Sequence, residues 1–224
     1  MSPAPRTLGL LTLGQSPRAD VTPTLRAILG ESVRILEQGA LDGLGPEGLE
    51  ALRAGDGEHP LETRLLTGEA IGLSRAALMP RLIAAGAELS GRCQSVLLLC
   101  SGEFPDLAAA CPRLIQPIRI LRGIIAAVAE HRTLGLIGPG SDLAGAPGQW
   151  HAYAPRLICA PGSPYGPADA LAAAGRDLAA RGADLIFLDD MGFSEAHRLT
   201  VALEARLPVL CATTLTARVL GEVV

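Results

Sequence analysis

The chain of 224 residues carries 19 basic and 23 acidic side chains, for a formal net charge of −4, and is 49% hydrophobic but only 3% aromatic. That length suits one domain or two small lobes, with a core of Leu, Ala, Val and Ile packed between helices and an aliphatic sheet. The acidic balance without a basic run excludes a nucleic-acid groove, and because every basic residue is Arg, lysine Schiff bases, pyridoxal anchoring and a Walker-type lysine are excluded too.

Along the chain, residues 1–12 hold a short apolar stretch broken at Gly14 and Gln15, unlike a signal peptide, and no apolar run approaches the ~18 residues that span a bilayer. A cytoplasmic protein is expected. A strand near 8–13 runs into Gly14-Gln-Ser-Pro-Arg-Ala-Asp20, where Pro17 and Asp20 would open a helix and Gln15, Ser16 and Arg18 would face a ligand. A bland turn with a solvated Arg is the alternative. After a strand at 33–37 comes a Gly/Pro-rich stretch, 39–60, read as a linker. Leu65–Ala87 has helical spacing, for one or two helices broken near Gly72 and at Pro80. The strand at 95–100 ends in Cys100-Ser-Gly-Glu-Phe-Pro105, and a helix follows from about Pro117 to 130.

The second half opens with a strand at 133–138. A second Gly/Pro-rich linker, 138–167, contains Trp150, His151, Tyr153 and Tyr165 and an expected strand at 155–159. An Ala-rich helix over 167–181 stops at Gly182. The strand at 184–189 runs into Asp189-Asp-Met-Gly-Phe193, Ser194 caps a helix to Arg206, and a strand at 208–212 leads to Thr213 and Thr214, whose hydroxyls would bind a carboxylate or cap the last helix.

Two segments recur in order. Arg6-Thr-Leu-Gly-Leu-Leu-Thr-Leu-Gly14 returns as Arg132-Thr-Leu-Gly-Leu-Ile-Gly-Pro-Gly140, and Ser95–Phe104 is echoed by Asp184–Phe193. Together with the alternation of strands and helices, this implies an α/β fold of two related, pseudo-symmetric lobes with parallel-sheet cores. The expected division is 1–131 and 132–224, with the terminal helix packing back on the first lobe. In such sheets ligands gather beyond the carboxyl ends of the strands. A thiol at that position, as at Cys100, becomes a proton-transfer or nucleophilic group when backbone donors or an Arg lie near it.

Of Asp189 and Asp190 only one would face the ligand, since successive strand residues alternate. No metal is expected there, because no third carboxylate converges. Cys93, Cys100, Cys111, Cys159 and Cys211 are odd in number and lack CxxC spacing, so free thiols are expected. His59, His131, His151 and His197 show no ligating spacing, and Gly138-Pro-Gly140 lacks the dinucleotide fingerprint.

The run Leu11-Thr-Leu-Gly-Gln-Ser-Pro-Arg-Ala-Asp-Val21 resembles the opening signature of the AroM family. The resemblance continues through Glu62-Thr-Arg-Leu-Leu-Thr-Gly68, Leu99-Cys-Ser-Gly-Glu-Phe-Pro105 and Leu188-Asp-Asp-Met-Gly-Phe193. That family is similar in organisation to the aspartate/glutamate racemase superfamily, which implies two lobes holding a small carboxylate in a cleft and two cysteines, one per lobe, exchanging a proton at the substrate carbon without a cofactor. By this resemblance Cys100 is the first-lobe group, and Asp190 stands where the second thiol is expected.

The resemblance implies a cofactor-independent racemase, isomerase or decarboxylase. Cys100 and Asp190 would be its acid/base pair, and Gln15, Ser16, Arg18, Ser101, Gly102, Thr213 and Thr214 would bind substrate. Its alternatives are a non-catalytic binder or sensor of a small carboxylate and an assembly protein with a vestigial cleft. The expected partner is a small carboxylate, with neither nucleic acid nor membrane, and a homodimer is one arrangement the reading allows.

Overall fold

Strands buried on both faces need helices on both sides, and the apolar runs of this chain form such strands. A computed structural model describes residues 6–140, 143 and 145–224; Ser141, Asp142 and Ala144 of the expected second linker, and Met1–Pro5 of the expected non-signal N-terminus, lie outside the described residues. The chain divides into two compact units. One contains the described residues up to Thr22, Gly30–Gln116 and Val224, and the other Pro23–Leu29 and Pro117–Val223.

The first unit is built on a parallel sheet of β1 (Arg6–Thr12), β2 (Val33–Gly39), β5 (Ser95–Leu98) and β6 (Leu114–Ile115), in the order β2-β1-β5-β6. An antiparallel hairpin, β3 (Leu61–Arg64) and β4 (Ala70–Leu73), stands apart from it. Helices α2 (Pro46–Glu50), α3 (Arg75–Arg92) and α4 (Pro105–Ala110) complete the unit, and α1 (Thr22–Leu29) passes to the other unit after its first residue. Leu78, Leu82, Ala85 and Leu89 of α3 pack with Leu11, Val96 and Leu98 of the sheet. A Cβ at Gly9 would sit 3.2 Å from both the Leu89 Cβ and the Cys93 Sγ, so glycine sets how closely α3 approaches β1.

The second unit repeats the plan with β7 (Thr133–Gly138), β8 (Arg156–Pro161), β9 (Leu185–Leu188) and β10 (Val209–Cys211), ordered β8-β7-β9-β10 and parallel throughout. Its helices are α5 (Pro117–Ala129), α6 (Ala146–Trp150), α7 (Ala168–Ala180), α8 (Glu195–Ala205) and α9 (Ala212–Val223). By compactness this unit begins at Pro117 and also takes in Pro23–Leu29, and α9 packs on α5 within it.

The repetition extends to single hydrogen bonds. Leu11 registers with Leu98 as Ile137 does with Leu188. The amide of Leu99 donates to the Leu11 carbonyl and that of Asp189 to the Ile137 carbonyl, both at 2.8 Å. The Gln94 side chain accepts from the Thr7 amide, and the Asp184 carboxylate accepts from the Thr133 amide. Gly135 lies under Leu178 of α7 as Gly9 lies under Leu89 of α3.

Three expectations are corrected. Residues 39–60 are no linker, because Ala40, Leu41 and Leu52 belong to the first unit's core and α2 lies among them. The helical reading of Leu65–Ala87 fails before Arg75. Leu61 pairs with Leu73 and Thr63 with Ile71 across a turn in which Gly68 takes a φ of +87°, and strands of four residues are too short for alternation to outweigh helical spacing. Pro80 does not break α3. It lies on the exposed face near the helix start, where the bond its missing N–H forfeits is outweighed by the packing of Leu78, Leu82 and Leu89.

Candidate functional site

In each sheet the chain leaves the first strand toward one neighbour and returns on the other side. The loops after β1 and β5, and after β7 and β9, therefore diverge, and divergent loops at carboxyl ends open a ligand crevice.

In the first unit the loop after β1 is held by carboxylates. Asp42 Oδ1 accepts from the Ser16 amide at 2.7 Å, and its Oδ2 accepts from the Ser16 hydroxyl at 2.6 Å and the Gly39 amide at 2.8 Å. Arg81 fixes the segment before Asp42 by donating to the carbonyls of Ala40 and Asp42. The Gln15 Oε1 accepts from the Leu66 amide of the hairpin turn at 2.8 Å. A Cβ at Gly14 would lie 2.6 Å from the Arg64 carbonyl oxygen and from the Thr63 hydroxyl, so only glycine lets the hairpin seat there.

Arg18 differs from the solvated or ligand-facing side chain expected of it. It is 9% exposed. Its Nε and Nη2 donate to Asp20 at 2.9 and 2.8 Å, and Nη1 donates to the Thr12 hydroxyl at 3.0 Å. The Arg18 amide donates to Glu37. A bidentate carboxylate already fills the face of this guanidinium that a ligand acid would use, so Arg18 ties the loop to the end of β1.

The loop after β5 is half-buried at Cys100, Ser101 and Gly102. The Gly102 amide donates to the Cys100 Sγ at 3.3 Å. Behind it, the fully buried Phe104 is clamped at both backbone groups by Gln116, whose Oε1 accepts from the Phe104 amide at 2.7 Å and whose amide nitrogen donates to the carbonyl. Arg75, at the start of α3, stacks 4.1 Å over the Phe104 ring and donates through Nη1 to the Glu103 carbonyl at 3.1 Å.

In the second unit Asp190 occupies the turn after β9 in the same manner, with the Gly192 amide donating to its Oδ1 at 2.6 Å. A Cβ at Gly192 would collide with the Tyr165 hydroxyl, Pro164 and Asp190 itself. Asp189 points the other way, as strand alternation requires, and accepts from the indole N–H of Trp150 at 2.7 Å. Trp150 is fully buried with its ring edge-on to Phe187, so it is a core residue rather than part of the expected linker.

Thr213 and Thr214 are fully buried. Thr213 donates to the Met191 carbonyl at 2.8 Å, joining α9 to the turn that carries Asp190, and Thr214 donates to the Cys211 carbonyl at 3.3 Å. Their hydroxyls are thus spent inside the protein. Burial pushes the neighbouring Cys211 thiol up, against the hydrogen bonds of both threonines. At the start of α8, Ser194 and His197 cap each other, the Ser194 amide donating to His197 Nδ1 at 3.0 Å. Burial lowers the His197 pKa.

Sequence reading missed Asp42, Arg75, Arg81 and Gln116. Asp42-Gly43 carries a turn signal, but nothing local says that an aspartate 26 residues away holds Ser16. Among the described residues no cluster of three or more His, Cys, Asp or Glu is placed to hold a metal, and no helix is long and apolar enough to cross a membrane.

Residues 8–224 match the model of the family described as AroM protein. No curated protein matches the chain. Among solved structures, the chain is similar to an unliganded arylmalonate decarboxylase, at 13% identity and a TM-score of 0.59, covering 96% of this chain and 92% of that one. It is also similar to the glutamate racemase from Aquifex pyrophilus, at 11% and 0.58, covering 97% and 84%. A third is the Nocardia farcinica maleate cis-trans isomerase with a covalently bound succinylcysteine intermediate, at 15% and 0.59, covering 97% and 91%. At these identities the likeness carries the fold, two parallel-sheet cores flanked by helices.

Proposed function

The chain belongs to the AroM family, and from that premise we propose that it is an enzyme acting, without a cofactor, at the carbon next to the carboxylate of a small acid, as a racemase, isomerase or decarboxylase. One observation carries this reading. Cys100 and Asp190 stand two residues past equivalent strand ends, and each side chain accepts from the amide of a glycine two residues on. An N–H aimed at sulfur or carboxylate oxygen favours the ionised form, as a proton-accepting group requires.

In the proposed reaction the Cys100 thiolate or the Asp190 carboxylate takes the α-proton. The electron pair left behind spreads into the substrate carboxylate, and the protonated partner returns a proton to carbon. In the decarboxylating variant the C–C bond breaks instead, carbon dioxide leaves, and a single thiol supplies the proton. Gln15, Ser101 and Gly102 would orient the acid, while Ser16, Arg18, Thr213 and Thr214 act on it through the turns they hold. The names of the similar structures, a decarboxylase, a racemase and an isomerase, support this range of chemistry.

The test is α-proton exchange in deuterated water, followed by NMR over a panel of small carboxylic acids. Exchange or product formation is expected for at least one acid and is lost in Cys100→Ser and Asp190→Asn. Full turnover in both variants sinks the assignment.

The aspartate at 190 where a second thiol is expected favours a second reading, a non-catalytic binder of a small carboxylate. Thermal stabilisation by an acid without exchange is its signature. Five free cysteines support a reducing, cytoplasmic setting, the acidic charge supports no nucleic-acid role, and light scattering tests the homodimer.

A further inference from the structure

We infer that Arg75, rather than Arg18, is the cation that binds the ligand's carboxylate beside Cys100; the assignment deepens the proposed function and rests on a small acid binding at the Cys100 turn. In a protein without lysine a ligand carboxylate is held by backbone amides, hydroxyls or a guanidinium, and a guanidinium serves only if it is positioned, accessible and not already paired. Arg18 meets the first condition and fails the others, because Asp20 holds it bidentately and it is buried.

Arg75 meets all three. It is exposed, and the described residues place no carboxylate in an ion pair with it; its partners are the Glu103 carbonyl and the face of Phe104. That shelf is rigid. Phe104 is fully buried and held by Gln116, itself 4% exposed, so the stacked guanidinium is fixed without losing its charge.

Its place relative to the thiol comes from Gly102. A Cβ there would lie 3.3 Å from the Phe104 ring, 3.5 Å from the Cys100 Sγ and 3.9 Å from the Arg75 Nη2, so thiol and guanidinium face the same side of Gly102. A small acid with its carboxylate on Arg75 brings the adjacent carbon within reach of sulfur, and a side chain at 102 would intrude between the two groups. Arg75 thereby selects for anions one carbon away from the reacting atom.

The experiment compares alkylation of Cys100 by iodoacetate and by neutral iodoacetamide, with the labelled peptide quantified by mass spectrometry. Both reagents react by sulfur displacing iodide, so any effect on thiolate fraction cancels in the ratio of their rates and charge recognition remains. Against the same peptide in the urea-unfolded chain, the folded protein is expected to favour iodoacetate by about tenfold, as one unit charge a few ångströms away provides in a partly solvated site. Added salt lowers the preference. Arg75→Gln loses it and Arg75→Lys, which keeps the charge, restores part of it.

An unchanged ratio in Arg75→Gln overturns the inference. Arg75→Lys, with a melting temperature for each variant, separates lost charge from lost folding. Proton exchange without anion selectivity removes Arg75 alone, whereas selectivity without exchange leaves Arg75 in place and removes the enzyme reading.

Discussion

Asp42 offers the sharpest test of how the β1 loop is held. Asp42→Ala removes an acceptor that takes three hydrogen bonds, two from backbone amides and one from a hydroxyl, all between 2.6 and 2.8 Å. A hydrogen bond to a charged acceptor contributes about 1.5–3 kcal/mol, and half-burial lets water replace part of it, so the expected loss is about 3–4 kcal/mol. For a chain of this length that corresponds to a fall in melting temperature of about 10 °C by scanning calorimetry. Asp42→Asn keeps one oxygen and should lose roughly half as much, about 2 kcal/mol. A loss under about 1 kcal/mol in the alanine variant, or equal damage from asparagine, refutes the claim that this carboxylate organises the loop.

Gly14→Ala should destabilise by about 2–3 kcal/mol in urea titration, because its Cβ meets the backbone of Arg64 rather than a flexible side chain; an unchanged midpoint would show that the hairpin does not bear on the loop. Stability should fall with acid through His197. Its folded pKa is depressed, so below the ordinary imidazole value of about 6.5 the unfolded chain binds the proton first. Urea midpoints from about pH 8 down to pH 5 should show this decline, and His197→Gln, which can still cap, should flatten it. A neutral thiol reagent should label half-buried Cys100 in the folded chain and Cys211 only on unfolding, since Cys211 is buried and its thiol pushed up; a Cys211-labelled peptide from folded protein contradicts this.

Much of the fold was legible in the sequence because its strands are buried runs read by composition alone. The strands Thr133–Gly138 and Leu185–Leu188 are such buried apolar runs, and Ser194 caps α8 as its position predicts. The hairpin at 61–73 was not legible, since Leu61, Ile71 and Leu73 acquire their common face only when the two short strands pair. Nor was the core position of Trp150, which depends on Asp189 taking its indole N–H.

The strand-end cluster divides the same way. Chain order and repeated motifs already put Gln15, Ser16, Arg18 and Cys100 at strand ends, and the same patterns align Asp190 with Cys100 in the sequence repeat. Those are local properties, carried by runs of five to ten residues. Which guanidinium remains available to an anion is a property of partners distant in sequence or hidden by geometry. Arg18 looked available until Asp20 folded back on it, and Arg75, placed by its sequence inside the helical spacing of 65–87, gained its setting only when Phe104, 29 residues on, provided the surface beneath it. Charge is written in the sequence, but whether a charge is neutralised depends on distances of a few ångströms that only tertiary packing sets.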